Sequence, residues 1–130
     1  SIEKRIMYKV FDNNEGLLKY FNPENIFFVV GNHGEKTNEG FRQKDIVSES
    51  WTQSLVDNGV YVPTGPGDIF WECGYYKKHL PNSAIDIICF NSIMYSVVDG
   101  HNGCQDKQIA RLKADLDNLP AGRTVYIITH

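Results

Sequence analysis

Two apolar runs in this chain each open onto residues that can hold a metal ion. Ile26-Phe27-Phe28-Val29-Val30 leads into Gly31-Asn32-His33, and Val125-Tyr126-Ile127-Ile128-Thr129 leads into His130. Gly31 lets the backbone turn sharply off the first run, because glycine reaches dihedrals that a Cβ forbids. Asn32 then offers an amide oxygen and His33 an imidazole, and His130 adds a second ring nitrogen. Oxygen and imidazole nitrogen together suit zinc, manganese or iron. The plain alternative for Asn32-His33 is a turn carrying a surface histidine.

Convergence of these side chains requires the runs that carry them to lie side by side. Both are rich in β-branched and aromatic residues and read as strands covered on both faces, as does Ile85 to Phe90. Ile2, Ile6 and Val10 fall four apart and predict an amphipathic helix over residues 2–11. A helical turn through Leu17, Leu18 and Phe21 is expected before Pro23. Asp45 is a candidate N-cap for a helix to about Val56, with Val47, Trp51 and Leu55 on one face and Asp57-Asn58-Gly59 as its stop. Val60 to Tyr76, rich in Gly, Pro and aromatics, predicts short strands with turns at Pro63-Thr64-Gly65-Pro66-Gly67. Residues 108–119 predict a helix that buries Ile109, Leu112, Leu116 and Leu119 and points Arg111, Lys113, Asp115 and Asp117 outward. The order of elements predicts an α/β layer architecture, a buried mixed sheet flanked by helices, with chemistry collecting at the carboxyl ends of strands.

Composition narrows the partners. A chain of 130 residues, 42% hydrophobic and 22% charged, suits one globular domain and no disordered rod. Its formal charge of −3 gives no electrostatic case for nucleic acid. The longest apolar run is far short of the roughly 20 residues a membrane span needs. Cys73, Cys89 and Cys104 form no Cys-x-x-Cys pair, so zinc-ribbon and thioredoxin readings fail and the disulfide pairing stays open. No signal-peptide pattern precedes the domain, and the chain stops as its last strand emerges. The reading is a single partial domain over residues 1–130, cut from a longer protein at both ends.

Phe27 to His33 resembles the Gly-Asn-His-Asp/Glu block of the calcineurin-like metallophosphoesterases, and Val125 to His130 is similar to a later strand of that family whose terminal histidine binds metal. Between them, Gly74-Tyr75-Tyr76, then Ile87-Ile88-Cys89-Phe90-Asn91-Ser92 with Tyr95, then Gln108 with Leu112 and Leu116 resemble blocks of the acid-sphingomyelinase-like branch, in the same order. The resemblance spans about residues 20 to 130. It implies a fragment of the layered metallophosphoesterase fold and hydrolysis of a phosphoric ester, a phosphodiester above all, at a dinuclear centre in the full-length parent. Two divalent cations (zinc, manganese or iron) clamp the phosphoryl oxygens there and activate a water. Asn32 and His130 are then ligands of the second metal. His33 donates a hydrogen bond or proton to the phosphate or leaving oxygen, a contribution of about 10²–10⁴ in rate. The implied substrate is a phosphorylated small molecule or lipid headgroup. The implied compartment is secreted or lysosomal, although no Asn-x-Ser/Thr glycosylation site occurs.

The chain also departs from the family. Gly34 stands where the family has Asp or Glu, and the Asp-x-His, Gly-Asp-x-x-Asp/Asn and Gly-His-x-His motifs are missing. Two ligands cannot hold two metals, so this chain alone is expected to be inactive. A non-catalytic scaffold that kept the fold is the rival reading, and a free-standing domain binding a small ligand without metal is a third. His101 in Gly100-His101-Asn102-Gly103 reads as a solvated loop histidine, and His79 as a turn residue. Trp71, Tyr75 and Tyr76 are core aromatics or a pocket lining. Asp68, Glu72 and Asp99 are expected to be solvated loop carboxylates.

Overall fold

Ile85–Cys89 and Thr124–Ile128 form strands where the apolar runs predict them. In the computed structural model, which describes residues 9–29, 50–95 and 103–130, they join Tyr76–His79 in a three-stranded sheet. The strands are named β1 (Tyr76–His79), β2 (Ile85–Cys89) and β3 (Thr124–Ile128) and lie in that order. β1 runs antiparallel to β2, with Tyr76 opposite Cys89 and His79 opposite Asp86. β2 and β3 are parallel, with Ile85 opposite Thr124 and Cys89 opposite Ile128. A parallel pair needs a crossover. The helix Cys104–Asp117 lies in the chain between them. The fold is mixed α/β, as expected.

Three helices labelled here follow the chain: α1 (Ser50–Asp57), α2 (Phe70–Cys73) and α3 (Cys104–Asp117). Residues 9–11 are also helical, and Leu17–Lys19 and Pro23–Asn25 form single 3-10 turns. The rest of the predicted 2–11 helix, Asp45, Val47 and the Trp51 side chain lie outside the described residues. α1 stops as its sequence predicts. Gly59 takes a left-handed φ of +71°, Val60 N–H donates to the Leu55 carbonyl at 2.8 Å and Gly59 N–H to that of Val56 at 3.0 Å. This pair of bonds is the Schellman arrangement. It places Leu55 against Val60, both with no exposure, each burial stabilising by about 1.5–3 kcal/mol.

Packing differs on the two sheet faces. Tyr76 and Cys89 join Phe11, Ile26, Leu55, Val60, Tyr61 and Phe70 in the main core, with Ile87 and Ile128 packed against it. The Tyr61, Phe70 and Tyr76 rings lie 4.3–5.4 Å apart. On the other face Tyr75 and Lys77 reach Asp115 of α3.

Four expectations need correction. Residues 26–29 form no strand: Tyr76 Oη donates to the Phe28 carbonyl and accepts from its N–H, both at 2.8 Å, and the Lys78 ammonium donates to the Ile26 carbonyl at 2.7 Å. Side chains from β1 supply the partners a neighbouring strand would. The Val60–Tyr76 stretch carries the short helix α2 before β1, because Asp68 Oδ1 accepts from the Phe70 amide at 2.8 Å and starts a turn of helix. β3 is not covered on both faces, since Tyr126 is 55% and Ile127 48% exposed. α3 buries Cys104, Gln108 and Asp115, and leaves Ile109 and Leu116 largely exposed.

Candidate functional site

β2 and β3 are parallel, so their carboxyl ends face the same way and deliver Phe90-Asn91-Ser92 and Thr129-His130 side by side. Phe90 N–H extends the ladder by donating to the Ile128 carbonyl at 2.9 Å. Ser92 Oγ donates to the His130 carbonyl at 2.6 Å, which ties the two strand ends together. The His130 residue is exposed.

Beneath this rim lies a buried polar lock. The Asn91 N–H donates to Gln108 Oε1 at 2.9 Å, and Gln108 Nε2 donates to the Asn91 carbonyl at 3.1 Å. Asn91 Nδ2 donates to the Cys73 carbonyl at 2.8 Å, and Asn91 Oδ1 accepts from Ile93 N–H at 3.2 Å. Buried amides are costly unless paired. Both side chains meet that condition while pinning α3 and α2 to the end of β2. The Cys73–Cys104 disulfide adds a covalent tie between the same two helices.

Of the sequence-predicted site residues, only His130 falls in the described part. Asn32, His33 and Gly34 lie outside it, as do Asp99 and His101. Among the described residues no three His, Cys, Asp or Glu side chains cluster as a metal site, so His130 is the single described member of the expected ligand set. Tyr75 and Tyr76, each 2% exposed, are core residues, and Trp71 packs edge-on to Phe70. No helix among the described residues is long and apolar enough to cross a membrane.

Charged residues outside that prediction are better organised than expected. His79 ends β1 instead of lying in a turn, and its Nδ1 is 2.8 Å from Asp86 Oδ1, which also accepts from Arg123 at 2.7 Å. Burial pushes the Asp86 carboxyl up, but His79 and Arg123 outweigh it and hold the group below the usual carboxylate range. Asp86 inside an otherwise apolar strand is the sequence signal, since a buried carboxylate demands a partner. Asp68 is no solvated loop carboxylate. It accepts from the Tyr61 hydroxyl and from the Thr64 and Phe70 amides, and these bonds overcome its desolvation and lower its pKa. Glu72 pairs with Lys107.

Comparison of the chain with protein-family models, with curated proteins and with solved structures gives no match.

Proposed function

We propose that this chain is the central part of a metal-dependent phosphoesterase that hydrolyses a phosphoric ester, a phosphodiester above all. The observation that carries the reading is the order of the motif blocks, which begin at Gly31-Asn32-His33 and end at His130. Two further features support it. His130 leaves a parallel strand at its carboxyl end, where α/β sheets collect their chemistry. Asn91 and Gln108, from two separate blocks of the resemblance, are partners in one buried hydrogen-bond exchange.

In this reading Asn32 and His130 contribute an amide oxygen and an imidazole to one of two divalent cations, and flanking parts of the parent supply the other ligands. The cations bring Lewis acidity and an activated water when bound. His33 holds a proton toward the leaving oxygen. The test is hydrolysis of an aryl phosphodiester by the full-length parent with Mn²⁺ or Zn²⁺. His33→Ala is expected to lower the rate by about 10²–10⁴, and Asn32→Ala and His130→Ala to weaken metal dependence. Undiminished activity in both Asn32→Ala and His33→Ala overturns the assignment.

Gly34 favours a second reading, a non-catalytic relative that keeps the fold as a scaffold. Asp-x-His, Gly-Asp-x-x-Asp/Asn and Gly-His-x-His motifs in the parent favour catalysis, and loss of two of the three favours the scaffold.

A further inference from the structure

A cleft of about 80 Å³ opens between α3, β1 and the loop that precedes α2. We propose that it binds a tetrahedral oxyanion, a phosphate or the end group of a phosphomonoester, between Arg111 and Lys77.

Most hydrogen-bonding groups that line the cleft are already engaged. Asp68 accepts four bonds: Oδ2 from the Tyr61 hydroxyl at 2.5 Å, the Thr64 amide at 2.8 Å and the Thr64 hydroxyl at 3.2 Å, and Oδ1 from the Phe70 amide at 2.8 Å. Each carboxylate oxygen has about two such sites, so Oδ2 is fully engaged. Buried Asp115 accepts from the Tyr75 hydroxyl at 2.7 Å through Oδ2, and its Oδ1 faces Arg111 Nε at 3.3 Å and Lys77 Nζ at 4.0 Å. The hydroxyl protons of Tyr61, Thr64 and Tyr75 are therefore spent on carboxylates.

What remains is cationic donor capacity. Arg111 Nε lies 3.3 Å from Asp115 Oδ1, and no hydrogen bond from its two Nη groups occurs among the described residues. The Lys77 ammonium lies beyond hydrogen-bond distance of Asp115. Both side chains are reachable, at 43% and 32% exposure. A planar fork beside a point charge suits a phosphate oxyanion. The volume admits roughly two or three waters at about 30 Å³ each. That is room for one tetrahedral group, with any organic remainder projecting into solvent. Two carboxylates and two cations leave the cleft neutral in sum, so the dissociation constant is on the order of millimolar.

The inference is independent of the phosphoesterase reading. It uses neither Asn32, His33 nor His130, and chelator keeps any metal site out of the measurement. The experiment is an amide-resolved NMR titration of the ¹⁵N-labelled chain with EDTA, using inorganic phosphate and, in parallel, methyl phosphate at constant ionic strength. Saturable shifts are expected at Thr64, Lys77 and the Arg111 Nε–H. Arg111→Lys keeps a cation beside Asp115 but loses the fork, and Lys77→Gln loses the point charge. Each is expected to weaken binding at least about fivefold with the spectrum otherwise intact. Equal affinity for both ligands assigns the cleft to phosphomonoester end groups, and preference for inorganic phosphate assigns it to the free anion. No saturation by either ligand up to about 50 mM, shifts centred elsewhere, or unchanged affinity in both variants overturns the proposal.

Discussion

Replacing Lys78 by Met tests how residues 23–28 are held without a neighbouring strand. The Lys78 ammonium donates to the carbonyls of Pro23 at 3.2 Å, Ile26 at 2.7 Å and Val60, and sits 4.7 Å above the Phe27 ring. Met keeps the apolar stem and removes all three donors. The carbonyls of buried Ile26 and Val60 are then left without their partner, at about 1–1.5 kcal/mol each, while the Pro23 carbonyl can turn to water. The expected loss is about 2–3 kcal/mol. With a urea slope of roughly 1.5–2 kcal/mol/M, the unfolding midpoint falls by about 1–2 M. The same group sets a pH signature. Burial pushes Lys78 down from its usual 10.5 to about 8. Between those values the unfolded chain keeps a proton that the folded chain has released, so the group's contribution to stability rises with pH across that window. Wild type therefore gains on Lys78→Met between pH 8 and 10.5. A midpoint within about 0.3 M of wild type, or a gap that narrows with rising pH, refutes the reasoning.

Asp86→Asn is expected to cost about 2–3 kcal/mol at pH 7, because His79 and Arg123 lose a buried carboxylate. The wild-type carboxyl titrates below its usual 3.8, so its contribution is present above that value and is lost as pH falls through the lower folded pKa. Urea midpoints at pH 7, 5 and 3 are expected to show a flatter acid limb in the variant. Reduction of the Cys73–Cys104 disulfide, 31 residues apart in sequence, is expected to remove about 3–4 kcal/mol. Cys89 is buried and its thiol is pushed up to about 11 by that burial. A thiol reagent is thus expected to find this residue only after denaturation. Tyr76→Phe, which removes the hydroxyl bonded to the Phe28 amide and carbonyl, is expected to cost about 1–2 kcal/mol by thermal or urea unfolding.

The parts of the fold legible in the sequence are those decided locally. Ile85 to Phe90 and Thr124 to Thr129 are apolar, β-branched and bounded by turn residues, and they pair as strands. Asp57-Asn58-Gly59 carries the left-handed glycine that ends α1. The miss at Ile26 to Val29 has a different origin. An apolar run announces burial, yet its backbone partners here include the hydroxyl of Tyr76 and the ammonium of Lys78, some 48–52 positions away. No periodicity encodes that. The buried face of α3 departs from the apolar pattern for a related reason. Ile109, Leu112 and Leu116 form an apolar stripe, but Cys104, Gln108 and Asp115 occupy the neighbouring stripe and are drawn inward by a disulfide, the Asn91 backbone and the Tyr75 hydroxyl. Specific partners outweighed hydrophobicity. At the candidate site, the strand end at His130 was legible from the run before it. The Arg111–Asp115 pair four positions apart on a helix was legible in spacing, but its cleft needed Lys77 from β1 and Tyr75 just before that strand.

Anomalous diffraction at the zinc edge, from crystals of the zinc-loaded full-length parent, tests most directly whether Asn32 and His130 share a cation. Shared coordination predicts one peak bonded to both Asn32 Oδ1 and a His130 ring nitrogen at about 2.0–2.2 Å. Side chains more than about 8 Å apart, or a peak touching neither, contradict it.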